Sequence, residues 1–577
     1  MTTRDGVRLD ADVYRPDAAG SFPVLLMRQP YGRQIASTVV YAHPTWYAAH
    51  GFIVVIQDVR GRGTSEGDFQ LFHHEVADGY DTVEWAAHLP QSNGQVGMYG
   101  FSYQGMTQLL AAQAQPPALK AIAPAMVGYH PHEDWAYEQG ALLLQAGLGW
   151  AIQLAAETAR LKSDLVAFQA LYQASRQLPL QEEITACPEV LTQYAPDSFW
   201  HDWVNRPQPD DYWHTITPQL AAVDLPMLHI GGWFDPYLRG DVRLYQEMVC
   251  RSRFPHPLLI GPWGHIPWGR KVGARDFGPA AESPVDRLQV DWFNQLLNDQ
   301  DTGILAAAPV TLFEMGRDRW RPFTEWPQTA GQTWQLDSDG LASMRQQSGR
   351  LVPMTEPGIL ADTASSDSPG FGKAGGEAPK ATAIDTLVHD PWRPVPSLGG
   401  HAAIPSGSFD RSALDCRSDV LTYTSSPLTE PLSVAGHVEV VVCGRCDRPS
   451  FDLCCTVSEV MANGSAYILT QGYRRFTTQS NDWATYRLTL QPTCFCIPAG
   501  HALRLSISAA GYPAYALNPG TGESAASSRL MDAKVITVAI QSGFGIETYI
   551  RLPRVREKRY GDREVFRTIT PESGACS

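Results

Sequence analysis

Gly100-Phe101-Ser102-Tyr103-Gln104-Gly105 follows the apolar run Val96-Gly97-Met98-Tyr99 and precedes a helix-like stretch, Met106 to Ala114. Strand, glycine-bounded turn and helix in that order make a sharp bend that lifts a serine hydroxyl above a sheet edge. The turn is close to G-x-S-x-G without matching it. Gly100 is in place, Gln104 holds the second glycine position, and Gly105 comes one residue late. Gly100 and Gly105 supply permissive backbone and room for close packing. The amides opening the next helix face developing negative charge, which makes the Tyr103 N–H the natural oxyanion donor. Ser102 is the candidate nucleophile.

Outward from this turn the first third of the chain alternates apolar runs with helical segments. Pro23 to Met27, Phe52 to Ile56 and Leu119 to Ala125 are apolar on both faces, as buried parallel strands are, and Asp78 to His88 reads as a helix between two of them. The pattern resumes with Met227 to Ile230 and Leu258 to Ile260, then a helix carrying Val285, Leu288, Trp292, Phe293 and Leu296 at helical spacing. Between the blocks, Gly128 to Ala222 is rich in Ala, Leu and Gln without strand pattern, and reads as a helical insertion. After about Leu305 the chain turns β-rich: Val438/Val440/Val442 and Leu503/Leu505/Ile507 alternate with polar residues. Asn463-Gly464 reads as a hairpin turn, and Thr363 to Lys380 as a long surface loop.

A serine nucleophile needs a base and a group that orients the base. The order expected on this kind of sheet is Ser, Asp or Glu, then His. Asp235 ends Gly231-Gly232-Trp233-Phe234-Asp235 and His265 ends Gly261-Pro262-Trp263-Gly264-His265, both just after strand-like runs and in that order.

These residues, with RDGVRLDADVYRP at the start, QDVRGRGTSEGDF (Gln57 to Phe69) and DPWRPVPSLGG (Asp390 to Gly400), resemble the cocaine esterase / X-Pro dipeptidyl-peptidase (CocE/NonD) group of serine hydrolases. The G-x-S-Y-x-G turn is that family's own form of the elbow. The resemblance implies an α/β-hydrolase domain in two parts, 1–128 and 223–305, a helical cap at 129–222, and a β jelly-roll-like domain at 306–577. It implies Ser102 as nucleophile, His265 as general base and acid, and Asp235 as the orienter of His265. Tyr31, in Arg28-Gln29-Pro30-Tyr31-Gly32, would supply the second oxyanion donor beside the Tyr103 amide. Arg60 and Asp58 are read as structural charges holding a loop near the site.

The cap should roof the site and offer aromatic surface to an apolar acyl group. Trp135 and Trp150 stand at cap positions that resemble the family's benzoyl-contacting tryptophans, and Tyr237 stands near another of its aromatics. Ala403 and Ile404 fall where the family has bulkier apolar residues, which implies a differently shaped pocket. The acidic cluster by which related amino-acid ester hydrolases hold an ammonium looks incomplete, since Tyr237 and Leu238 follow Asp235; Glu133 and Asp134 remain in the cap. The expectation is a hydrolase of esters of hydrophobic or aromatic acids. An amidase, acylase or X-Pro dipeptidyl-peptidase with the same triad, and a catalytically silent binding protein, are the alternatives.

Composition sets the outer limits. Hydrophobic residues are 44% and charged residues 18% of 577, the balance of a folded chain, and the net charge is −15. With no Lys/Arg cluster, nucleic acid and anionic membrane are excluded as partners; a small-molecule ester or amide is expected. The uncharged stretch Gln139 to Ala156 carries Gln139, Gln145 and Gln153 and is read as a buried helix, not a span. The first 20 residues lack the apolar run of a secretory signal, and the cysteines are sparse, so a cytoplasmic location is expected. Cys443 and Cys446 form one C-x-x-C without a second ligand pair, and neither His73-His74-Glu75 nor His130-Pro131-His132-Glu133 has a zinc-site spacing. No metal and no cofactor are expected. Trp483 and Tyr486 are read as strand packing rather than a carbohydrate surface. Oligomeric state is not readable from these residues, and a homodimer is kept as an open alternative.

Overall fold

The computed structural model describes residues 1–34, 38–328, 331–354, 382–478, 480–543 and 545–555. Its first sheet grows from the apolar runs read above: β1 (Ala11–Tyr14), β2 (Phe22–Gln29), β3 (Ile53–Asp58), β4 (Ser92–Phe101) and β5 (Leu119–Ala125). A small hairpin, β6 (Tyr137–Glu138) and β7 (Ala141–Leu142), lies in the insertion. The sheet then continues with β8 (His229–Phe234) and β9 (Leu258–Gly264), passes over a second hairpin, β10 (Lys271–Val272) and β11 (Arg275–Asp276), and ends with β12 (Val310–Glu314) and β13 (Arg319–Phe323). The spatial order is β1-β3-β2-β4-β5-β8-β9-β12-β13, parallel except for β1 and β13 at the edges.

The runs are apolar throughout because each strand buries both faces. Val24 and Leu26 of β2, with Ile53 and Val55 of β3, enter one core with α2 (Glu75–Ala87) and α3 (Tyr103–Gln113), following α1 (Pro44–Ala49) in the chain. Leu25, Met27, Val54 and Ile56 enter another with Tyr47 of α1 and Trp292 and Phe293. Each such side chain contributes roughly 1.5–3 kcal/mol by leaving water.

The insertion is helical, as expected. A π-helical turn at Pro131–Ala136 leads to α4 (Leu144–Leu161), α5 (Leu165–Arg176), α6 (Glu189–Tyr194), α7 (Phe199–Asn205) and α8 (Asp211–Ile216). The uncharged stretch belongs mostly to α4, which buries Gly147, Leu148, Ala151, Ile152 and Leu154. Among the described residues no helix is long and apolar enough to cross a membrane. After β8 comes α9 (Leu238–Arg251), and after β9 comes α10 (Val285–Leu297).

The C-terminal region is β-rich, with an eleven-stranded sheet that includes Glu439–Cys446, Ser450–Val460, Ala466–Thr477 and Ala502–Ser508. Asn463-Gly464 turns the Ser450–Val460/Ala466–Thr477 hairpin, with Gly464 at φ +89° and its N–H on the Met461 carbonyl. β12 and β13 lie beyond residue 306 yet complete the first sheet, because β12 pairs in parallel with β9. The two regions also share a core, in which Trp233, Phe234 and Phe313 meet Val434 and Phe495. The loop expected at Thr363 to Lys380 lies outside the described residues.

Candidate active site

β4 ends at Phe101, and Ser102 sits at φ 61°, ψ −124° before α3 begins. A non-glycine residue at positive φ is strained, and the strain is held by neighbours that over-determine the turn. The Ser102 N–H bonds the Ala125 carbonyl at 2.9 Å, and the Gly105 and Met106 amides bond the Ser102 carbonyl. Glycine is required on both flanks. A Cβ on Gly100, at φ +139°, would lie 2.4 Å from Gln104 Cβ, and one on Gly105 would lie 3.1 Å from the Ala125 carbonyl oxygen. Gln104, in place of the expected second glycine, accepts from the Phe101 N–H, while Gln108 donates to the Gly100 carbonyl and accepts from the Ala123 N–H. The sequence showed Gln104 only as a replacement for the second glycine and gave no sign of Gln108, whose bonds run from within α3 to neighbouring strands.

Asp235 and His265 follow β8 and β9. Asp235, fully buried at the end of β8, takes the His265 Nδ1 on Oδ2 at 3.1 Å and the Tyr237 N–H on Oδ1 at 2.7 Å. His265 follows β9, packs its ring 5.3 Å from that of Phe101, beside the serine, and meets the Tyr237 ring edge-on at 5.0 Å. Nδ1 is engaged by Asp235, which leaves Nε2 as the ring nitrogen not bound to that carboxylate.

Tyr31 follows β2. The Trp150 indole N–H donates to its hydroxyl at 3.1 Å, and burial pushes its pKa up, so the hydroxyl stays protonated. With a lone pair taken by Trp150, the Tyr31 proton is left to point elsewhere. The Tyr103 ring lies 6.5 Å from that of Tyr31, and its hydroxyl donates to Glu75 at 2.8 Å. Glu75 in turn pairs with Arg28 at 2.5 Å, and all three are buried. This network locks the Tyr103 side chain, and hence the amide beside Ser102. Arg28 and Glu75 escaped the sequence reading because a buried ion pair leaves no local pattern.

Trp135 and Trp150 stack at 5.4 Å with an interplanar angle of 21°, and Trp135 also meets Tyr237 at 4.6 Å. Phe199 closes on Trp150 at 4.9 Å. Beside this wall, a cleft of about 1520 Å³ runs between the Gly61–Leu71 loop and the cap, lined by Phe69, Ala151, Leu154, Tyr194 and Phe199. Arg62 lies buried there over the Phe69 ring, donating to the Leu154 carbonyl, and burial lowers its pKa to about 10. Arg60 pairs with Asp78 and Asp5, and Asp58 with Arg33, as structural charges would.

Ala403 and Ile404 lie against other parts of the molecule and of the cap. Ala403 is buried in a separate cluster with Ala141, Leu143, Cys454 and Tyr515, and Ile404 is 60% exposed with its N–H on Gln145. Both stand in the loop closed by the Gly400–Gly407 bridge, whose two amides bond each other's carbonyls at 2.8 Å. The cap carboxylates are matched by arginines: Glu133 to Arg243 at 2.6 Å, Asp134 to Arg243 at 3.2 Å, and Glu138 to Arg239 at 3.0 Å. Among the described residues no group of three or more His, Cys, Asp or Glu could hold a metal.

Two family models divide the chain. Residues 5–267 match the X-Pro dipeptidyl-peptidase (S15 family), and 302–540 match the X-Pro dipeptidyl-peptidase C-terminal non-catalytic domain. The chain belongs to the cocaine esterase / X-Pro dipeptidyl-peptidase family. Cocaine esterase of Rhodococcus sp. (strain MB1 Bresler) is 28% identical over 591 residues, 96% of this chain and 97% of that one. An aminopeptidase from a marine sediment Thaumarchaeota archaeon shares the fold with a TM-score of 0.78 at 21% identity, over 96% and 95% of the two chains. An α-amino acid ester hydrolase does so with a TM-score of 0.71 at 21% identity and the same coverage. This family member is an enzyme, a serine hydrolase.

Proposed function

We propose that the protein hydrolyses esters of hydrophobic, preferentially aromatic, carboxylic acids through an acyl-enzyme. Ser102 Oγ attacks the ester carbonyl while His265 takes its proton, and Asp235 stabilises the imidazolium. The developing oxyanion lies between the Tyr31 hydroxyl and the Tyr103 amide. His265 then protonates the departing alcohol, and water, deprotonated by the same imidazole, releases the acid. The observation that carries the acyl preference is the Trp135–Trp150 stack, because Trp150 touches the oxyanion donor itself through the Tyr31 hydroxyl. An acyl group against that wall has its carbonyl beside Tyr31.

The family also contains peptidases, which makes an amide or X-Pro substrate the second reading. Recognition of a free ammonium needs unpaired carboxylate, and Glu133, Asp134 and Glu138 all face arginines, which favours the ester. The substrate is a small molecule. The described cysteines are unpaired, which supports a reducing, cytoplasmic compartment. Intact-mass measurement after a fluorophosphonate probe, on wild type and Ser102→Ala, tests the nucleophile. A single adduct on wild type alone is expected. Rates on aryl and alkyl esters against an X-Pro anilide then test the substrate class, and a faster anilide would replace the ester reading.

A further inference from the structure

The C-terminal region matches a domain described as non-catalytic, yet one of its side chains reaches the backbone of Asp235. Gln491, 1% exposed, donates from Nε2 to the Asp235 carbonyl at 2.5 Å and, more weakly, to the Trp233 carbonyl at 3.4 Å. Its backbone is held by an N–H to the Gln471 carbonyl and by the Thr470 hydroxyl on its own carbonyl. The Asp235 carbonyl needs this donor. It stands at the start of α9, where its local partner, the Leu238 N–H, is 3.4 Å away. A buried carbonyl with so long a bond is under-satisfied without Gln491.

The donor is itself fixed from three sides. Arg239 Nη1 approaches Gln491 Oε1 at 3.5 Å and pairs with Glu138 of the cap. Glu138 also takes His401 Nε2 at 2.7 Å, the Tyr515 hydroxyl at 2.6 Å and the Tyr473 N–H at 3.1 Å, all from the β region. The same region presses on the histidine loop, since a Cβ on Gly264 would lie 2.4 Å from Ser406 Oγ.

We propose that Gln491 is a positioning residue for the reaction: the β region, through this amide, holds the Asp235 loop in the geometry that orients His265. The proposal rests on the triad reading above. Gln491 touches no reacting atom, so its loss should lower turnover rather than substrate binding.

The test is steady-state ester hydrolysis by Gln491→Met, which keeps side-chain length but deletes the donor, with rates divided by active sites titrated with fluorophosphonate. The kcat per site should fall about 10- to 100-fold with KM held within about two-fold, the cost of a small misplacement of a catalytic group. Gln491→Asn, too short to reach, should behave alike and replaces Gln491→Met if that variant does not fold. Tyr423→Phe is the control, deleting a buried β-region hydroxyl that bonds Asp385 at 2.8 Å, and should leave kcat per site unchanged. An unchanged kcat per site in the Gln491 variants, or an equal loss in Tyr423→Phe, would overturn the proposal. Failure of wild-type Ser102 to react with the probe would instead overturn the triad.

Discussion

At the C-terminal ends of β4, β8 and β9 the first sheet sets out Ser102, Asp235 and His265 on short turns, each beginning within a residue or two of its strand. The β region meets the same turns differently. It contributes Gln491 under the Asp235 carbonyl and Ser406 against Gly264, groups that hold backbone in place. The first-sheet residues sit on loops local to their strands, whereas the bond from Gln491 to the Asp235 carbonyl joins residues at a separation of 256. The contrast teaches that chemistry and its alignment can be encoded in separate parts of one sequence.

The sharpest break of that contrast is Ser102→Ala. It should lower ester hydrolysis at least about 10⁴-fold, read with a chromogenic aryl ester, while leaving thermal stability close to wild type. A residual rate within ten-fold of wild type would move the nucleophile elsewhere. Next comes Tyr31→Phe, which removes one oxyanion donor while keeping the ring. Its kcat should fall about 10²- to 10³-fold, and an unaltered kcat would leave the Tyr103 amide as the donor that matters.

On the other side of the comparison, Glu138 ties cap, α9 and β region together. Burial alone would raise its pKa, but the charge of Arg239 and the bonds from His401 and Tyr515 outweigh it and hold the carboxyl down to about 2 from 4.5. A carboxyl depressed by folding stabilises fully above 4.5, and that stability is lost as pH falls through about 2. Glu138→Gln, which strands Arg239, should cost about 3–5 kcal/mol at neutral pH by calorimetry and should flatten the acid side of the melting profile. A Tm within a degree of wild type would show that the three regions do not depend on this junction. Trp150→Phe preserves the aromatic wall and deletes the N–H on Tyr31. Its kcat should fall less than about ten-fold, the worth of one hydrogen bond, with KM for aryl esters little changed. A large rise in KM instead would make Trp150 a binding surface only.

Much of the catalytic edge was legible because local residues build it. A strand followed by Gly100-Phe101-Ser102 and a helix can make only a narrow set of turns, and Asp235 and His265 each end an apolar run. That β12 and β13 join the first sheet was not legible, because an antiparallel strand pair reads the same whichever sheet it joins. Arg28, Glu75 and Gln491 were not found at all. Each is a buried polar residue whose partners lie in other elements, and no spacing in the chain records such a pairing.

What the sequence by itself determined is therefore the turns after β4, β8 and β9 and the elements carrying them, since strand periodicity, glycine placement and turn chemistry act over a few residues. Only the tertiary structure decided which aromatics stack beside Tyr31, which cap carboxylates pair with arginines, and that the β region reaches Asp235. Those outcomes depend on burial and on hydrogen bonds between residues far apart in the chain, where the cost of leaving a polar group unpaired is settled only once the elements have packed.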